Sequence, residues 1–307
     1  MLWRTRRLPL ADPSRPHWRA PERPRPVPVT VWQPTAGAGP YPVILLSHGT
    51  GGAAAALSWL ATELAAAGFL VAGVDHHGNT YVEPPDPRGF ARWWDRARDL
   101  SVALDAVLAG DHDADPRRVG AAGFSLGGYT VAALLGARID EIRYRAVADG
   151  AVPPPPEYPD LLTDLRAVLG PAGLARLLAE CVADVRDARV RAGLLLAPAL
   201  APALDPASLA AISAPVRVLW GDADTICPPP ANAHAYLAGI PGASGASLGP
   251  DVGHYAFTGT DTPGEPAAAA NRRRVAQAAA VAEARAFFQV ALPTPRPAGV
   301  AESEQSG

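Results

Sequence analysis

RVGAAGFSLGGYTVAALL, residues 118–135, is an apolar run, a serine set between glycines, and a run of good helix formers. Gly123-Phe124-Ser125-Leu126-Gly127 fits G-x-S-x-G, the sharp strand-to-helix turn that lifts a serine hydroxyl above the edge of a sheet. Five residues alone are weak evidence in a chain with 29 glycines, and Gly245-Ala246-Ser247-Leu248-Gly249 fits as well. The surroundings separate the two. Ser125 has a strand before it and a helix after it, whereas Ser247 runs directly into Pro250 and has no helix to follow.

Moving outward, continuous apolar runs bounded by turn residues lie at 41–47, 69–75, 118–124, 192–197 and 215–220, and such runs read as strands buried on both faces. Helical patterns lie between them at 54–67, 91–108, 126–137 and 229–238, with another at 265–291. Strand and helix alternate, so the expected fold is α/β, a mostly parallel central sheet flanked by helices. The interval 140–188 breaks the rhythm with helix after a Pro-rich 153–156 and is expected to be a helical insertion, a lid over the site. Residues 1–26, rich in Arg and Pro, are expected to be an irregular lead-in. The main domain is then 27–291, and 292–307 is a disordered tail.

The chemistry follows from the order of residues. A serine hydrolase of this topology places its acid and then its base after the serine. His254, in a loop after the last strand, is the expected base, and His234, inside a helical pattern, is not. The strand at 215–220 runs into Gly221-Asp222-Ala223-Asp224, at the carboxyl end where open sheets build their sites. Asp224 is preferred as the acid, because Asp222 is placed to cap the turn, and Asp205 is third. An oxyanion needs two backbone donors. Leu126 follows the nucleophile, and Thr50 lies in His48-Gly49-Thr50-Gly51-Gly52 after an earlier strand. Tyr81, Trp93 and Trp94 are candidates for the wall of a substrate pocket, with core packing as the alternative for the tryptophans.

Composition excludes other functions. With 49% hydrophobic residues, 19% charged residues and a net charge of −3, the 307-residue chain is a globular protein without a basic surface for nucleic acid. No stretch is apolar enough to span a membrane. The N-terminus lacks the apolar core of a secretory leader, so a cytoplasmic location is expected. Cys181 and Cys227 read as buried free thiols. Asp75-His76-His77 lacks a third ligand. Asp111, Asp113 and Asp115 resemble a calcium loop, but Pro116 and Ala122 stand where Gly and Glu are needed, so no metal is expected. The sequence sets no oligomeric state.

Taken together, TVWQP at 30–34, LLSHGTGG at 45–52, VDHHGNT at 74–80, RARDLSVALDAVL at 96–108, GFSLGGYT at 123–130, GDADTICPP at 221–229 and GHYAF at 253–257 resemble one group of proteins. These are bacterial α/β-hydrolases described as predicted dienelactone hydrolases, similar to platelet-activating-factor acetylhydrolase. The resemblance, over residues 27–260, implies the α/β-hydrolase fold and cofactor-free hydrolysis of a small-molecule carboxylic ester through an acyl-enzyme. It implies catalytic roles for Ser125, His254 and Asp224 and oxyanion roles for Thr50 and Leu126. True dienelactone hydrolases use cysteine where Ser125 stands here. Acyl transfer or cyclisation with the same triad, and a non-catalytic binding protein of the same fold, are the alternatives.

Overall fold

The computed structural model describes residues 2–37, 39–259 and 265–293. In chain order the strands are β1 (Trp3–Pro16), β2 (Pro24–Pro34), β3 (Tyr41–Ser47), β4 (Leu70–Val74), β5 (Ala114–Phe124), β6 (Val190–Leu196), β7 (Val216–Trp220) and β8 (Ser244–Ser247). The helices are α1 (Ser58–Ala66), α2 (Pro87–Ala91), α3 (Asp95–Ala109), α4 (Leu126–Leu135), α5 (Glu141–Ala148), α6 (Leu161–Glu180), α7 (Pro206–Ala210), α8 (Ala233–Gly239) and α9 (Ala267–Ala291).

The strands form one sheet in the order β1-β2-β4-β3-β5-β6-β7-β8, antiparallel at β1–β2–β4 and parallel from β4 onward. Side chains of a strand alternate between faces, so an unbroken apolar run feeds two cores. In β3, Val43 and Leu45 join the core under α3, α4 and α8, while Ile44 and Leu46 join the core under α1 and α9. All four are fully buried, and each contributes roughly 1.5–3 kcal/mol of apolar burial. Helices cover both faces, as the strand–helix alternation requires.

Residues 1–26 depart from expectation. In place of an irregular lead-in, β1 pairs with β2 from Trp3↔Pro34 to Asp12↔Arg25 and extends the sheet at its edge. An edge strand has one unpaired side and one wet face, so it accommodates Arg and Pro that a central strand would reject. The sheet therefore begins at Trp3 rather than near residue 27.

The 140–188 interval holds α5 and α6, and α6 breaks at Gly170 (φ 58°) before Pro171. Leu165 and Leu177 of α6 pack into the core, so the segment is anchored as well as inserted. Of the expected disordered tail, Leu292 is buried and Pro293 exposed, and 294–307 lie outside the described residues. Among the described residues no helix is long and apolar enough to cross a membrane.

Candidate active site

Ser125 sits in the turn between β5 and α4 with φ 54° and ψ −118°, a region costly for any side-chain-bearing residue. The surroundings hold it there: its N–H donates to the Leu196 carbonyl at 2.9 Å, and its own carbonyl accepts from Gly128 and Ala199. A Cβ on Gly123 would lie 2.1 Å from the Gly127 carbonyl oxygen, and one on Gly127 would lie 2.0 Å from that of Ser47. Both motif glycines are thus required by close backbone approach.

His254 opens a short 3-10 turn beyond β8, and Asp224 lies in the turn beyond β7. The Ser125 Oγ and His254 Nε2 are 3.0 Å apart, and His254 Nδ1 and Asp224 Oδ2 are 2.7 Å apart. The second oxygen of Asp224 accepts from the backbone N–H groups of Ile226 at 2.9 Å and Cys227 at 2.7 Å. A carboxylate so held accepts from Nδ1–H. Nε2 is then left without a proton and free to accept from the serine hydroxyl. All three side chains are buried. The imidazole packs on Phe124 and Tyr255, with ring centroids 4.8 and 5.4 Å away.

Thr50 lines the same small cavity as Ser125 and His254, and Leu126 is the first residue of α4. Among the described residues no protein acceptor takes either backbone amide. The loop carrying Thr50 is braced from three sides. Asn79 Oδ1 accepts from the Gly51 N–H at 2.7 Å. His48 Nδ1 lies 2.6 Å from the Gly49 carbonyl, and its Nε2 accepts from the His76 N–H at 3.2 Å. Arg96 of α3, buried to 2% exposure, donates to the His48 carbonyl, to Ser47 Oγ at 3.4 Å and to Thr130 Oγ1 on α4 at 3.2 Å. One guanidinium thus ties the strand end before Thr50 to the helix that begins at Leu126.

The other candidates lie elsewhere. Trp93 and Trp94 do not line the cavity: both pack edge-on against Tyr144 inside the core, at 4.9 and 5.8 Å between centroids. Their area is used by the α3–α4–α5 interface. Tyr81 is 57% exposed and reaches the site only through its backbone N–H, which donates to the Gly52 carbonyl. Asp222 accepts from the Trp220 indole, Asp205 caps α7, and Ser247 accepts from the Gly249 N–H. His234 packs edge-on against Trp220. His76 and His77 point apart, toward Asp99 and Glu83. Among the described residues no cluster of three or more His, Cys, Asp or Glu is arranged to hold a metal ion.

Residues 38–184 match the family model described as serine aminopeptidase, S33, a span that holds Thr50, Ser125 and Leu126 and ends before Asp224 and His254. No curated protein matches the chain. Among solved structures, a ferulic acid esterase from Streptomyces cinnamoneus superposes with a TM-score of 0.63 at 21% identity, over 97% of this chain and 94% of that one. The fold is that of the α/β-hydrolases. In this α/β-hydrolase sheet, Thr50, Ser125, Asp224 and His254 lie at or beyond the carboxyl ends of parallel strands, and Leu126 opens the helix that follows one.

Three residues at the site carry no signature in the sequence. Arg96 occupies the apolar stripe of α3 with Ala97, Leu100, Ala103, Leu104 and Val107, and a lone arginine on that face was the available clue. Cys227 is buried beside Asp224, whose Oδ1 accepts from its backbone N–H at 2.7 Å. Burial first, and then the Asp224 charge, push the Cys227 thiol up to about 12. Glu157, from the 140–188 segment, reaches the cavity and accepts from the Tyr255 hydroxyl at 3.2 Å.

Proposed function

We propose that the chain is a serine esterase, a cofactor-free cytoplasmic enzyme that hydrolyses small-molecule carboxylic esters, lactones or thioesters. The observation that carries this reading is the continuous hydrogen-bonded chain from Ser125 Oγ through His254 to Asp224, at 3.0 and 2.7 Å. His254 takes the serine proton as Oγ attacks the carbonyl carbon. The amides of Thr50 and Leu126 receive the oxyanion, each such donor being worth roughly 3–4 kcal/mol in the transition state. His254 returns the proton to the leaving alcohol, and a water activated by the same imidazole then releases the acid. The cavity above Ser125 is about 50 Å³ in volume, and His254, Tyr255 and Thr258 also line an adjoining one of about 370 Å³. The esterase name of the structural neighbour supports ester over peptide cleavage.

A fluorophosphonate probe, with the adduct located by peptide mass spectrometry, tests this directly. Labelling at Ser125, absent in Ser125→Ala together with turnover of 4-nitrophenyl acetate, is expected. A Ser125→Ala protein with wild-type turnover, or labelling at Ser247, would overturn the assignment. Product analysis in the presence of added alcohol separates hydrolysis from acyl transfer.

A further inference from the structure

Away from the Ser125 site, a second cavity of about 350 Å³ lies where the β1–β2 hairpin, the α2–α3 corner and α6 meet. Six arginines line it: Arg15, Arg25, Arg88, Arg92, Arg98 and Arg176. The carboxylates on its wall or paired to those arginines are Asp12, Asp86, Asp95, Asp99 and Glu180. The balance is positive in a chain whose net charge is −3.

The decisive point is how fully those carboxylates are used. Asp95 Oδ2 accepts from Arg25 at 2.6 Å and from Arg92 at 2.9 Å, while its Oδ1 accepts from Arg98 at 3.2 Å. Asp86 takes Arg88 with both oxygens, at 2.8 and 2.7 Å. Glu180 pairs with the Arg92 Nη1, and Arg15 is divided between Asp12 and Asp99. Apart from the second oxygen of Glu180, what the side chains of the wall leave unused is donor. Nη2 of Arg25, Arg92 and Arg98, Nη1 of Arg88 and the whole Arg176 guanidinium have no protein acceptor among the described residues. The positions of several are fixed in advance. Arg25 is 3% exposed and lies 3.7 Å from the Trp18 ring centroid, a cation–π contact that orders it.

We propose that this cleft binds a phosphate-class polyanion, either inorganic pyrophosphate or the phosphate group of a phosphorylated small molecule. Guanidinium forks match oxyanions in paired hydrogen bonds, and a polyanion engages several at once. Unspent donors on five arginines, carried by β2, α2, the α2–α3 corner, α3 and α6, outnumber the two oxygens of one carboxylate, whereas a phosphate group with three terminal oxygens, or a diphosphate, engages more of them at once. The volume admits such a ligand with a small organic substituent. Because Arg176 stands on α6 and Arg25 on β2, the bound anion links the inserted helix to the hairpin.

Isothermal titration with pyrophosphate at low salt tests the proposal on the full chain. The variants are Arg98→Gln and Arg176→Gln, a half-buried and an exposed arginine outside the catalytic machinery. Saturable 1:1 binding is expected, weakened about tenfold or more in each variant, since a hydrogen bond to a charged group is worth roughly 1.5–3 kcal/mol. Thermal melts confirm that both variants fold, and their ester hydrolysis stays at the wild-type rate. A phosphomonoester that binds more tightly than pyrophosphate identifies an organic phosphate as the ligand, and the reverse identifies the inorganic ion. Absence of saturable pyrophosphate binding, binding that neither substitution weakens, or citrate binding as tightly as pyrophosphate would each overturn it. None of these outcomes depends on the esterase reading, because Ser125→Ala is expected to bind the anion like wild type.

Discussion

Replacing Asp224 by Asn tests the site with almost no change of shape. Asp224 Oδ1 accepts two backbone N–H groups, from Ile226 at 2.9 Å and Cys227 at 2.7 Å, and Oδ2 faces His254 Nδ1 at 2.7 Å. An asparagine has one oxygen and one NH2. Turning the NH2 toward the two backbone donors sets donor against donor twice, so the oxygen stays with the backbone and the NH2 faces Nδ1. His254 must then accept at Nδ1 and carry its proton on Nε2, toward Ser125, where it can no longer remove the serine proton. The loss is therefore one of tautomer rather than of position. A comparable Asp-to-Asn change in the serine-protease triad lowers kcat about 10⁴-fold, roughly 5.5 kcal/mol of barrier, and the same order is expected here. The assay is 4-nitrophenyl acetate hydrolysis together with the rate of fluorophosphonate labelling. Both should fall together, and the melting temperature should move by only a few degrees. An Asp224→Asn protein within tenfold of wild type in both measurements would refute the argument.

Four further outcomes are expected. His48 and His76 are held well below the usual histidine range near 6.5, by burial first and by Arg96 next. Below about pH 6.5 the unfolded chain therefore gains two protons that the native state refuses. Asp99, raised to about 6 chiefly by burial, takes up one in the native state and so offsets half of this. Urea unfolding should show stability falling as the pH drops below about 6.5, and a flat or rising profile would count against neutral buried imidazoles. Iodoacetamide at pH 8 should leave esterase activity intact, because the Cys227 thiol stays protonated and buried; inactivation with stoichiometric alkylation at Cys227 would contradict this. Gly127→Ala should not accumulate as folded protein, its methyl falling 2.0 Å from the Ser47 carbonyl oxygen; a soluble variant with a native melting curve would disprove the close approach. Arg96→Met should lower kcat for 4-nitrophenyl acetate by about tenfold or more with little change in KM, as two oxyanion elements lose their shared brace, and an equal fall in kcat/KM through KM alone would assign Arg96 to substrate binding.

How much of this was legible in the sequence varied with the physics of each element. The strands β3 to β7 stood out because strands buried on both faces must be apolar throughout. β1 did not, because WRTRRLPL carries three arginines and a proline along an exposed edge, where pairing comes from β2 and burial contributes little. Ser125, Asp224 and His254 were singled out by spacing and by their place after strands, and the structure brings the three side chains within hydrogen-bond distance. For the tryptophans the sequence left pocket wall and core packing both open, because an aromatic pair beside a helix looks the same whether it faces a cavity or a core. Only the packing of Tyr144, 51 and 50 residues away in sequence, decides between the two. Arg96 and Glu157 were hidden for a related reason: their partners are backbone carbonyls or distant loops, which leave no pattern in the residue types.

The brace at Arg96 also bears on how the molecule divides its labour. The serine turn, the oxyanion loop and the helix after the serine are fastened to one another from below, by a side chain rooted in α3. The 140–188 segment meets this group from above, with Glu157 at the cavity. The groups that converge on Ser125 are thus fixed from one side by a single buried guanidinium, and the residues around Glu157 lie outside that brace.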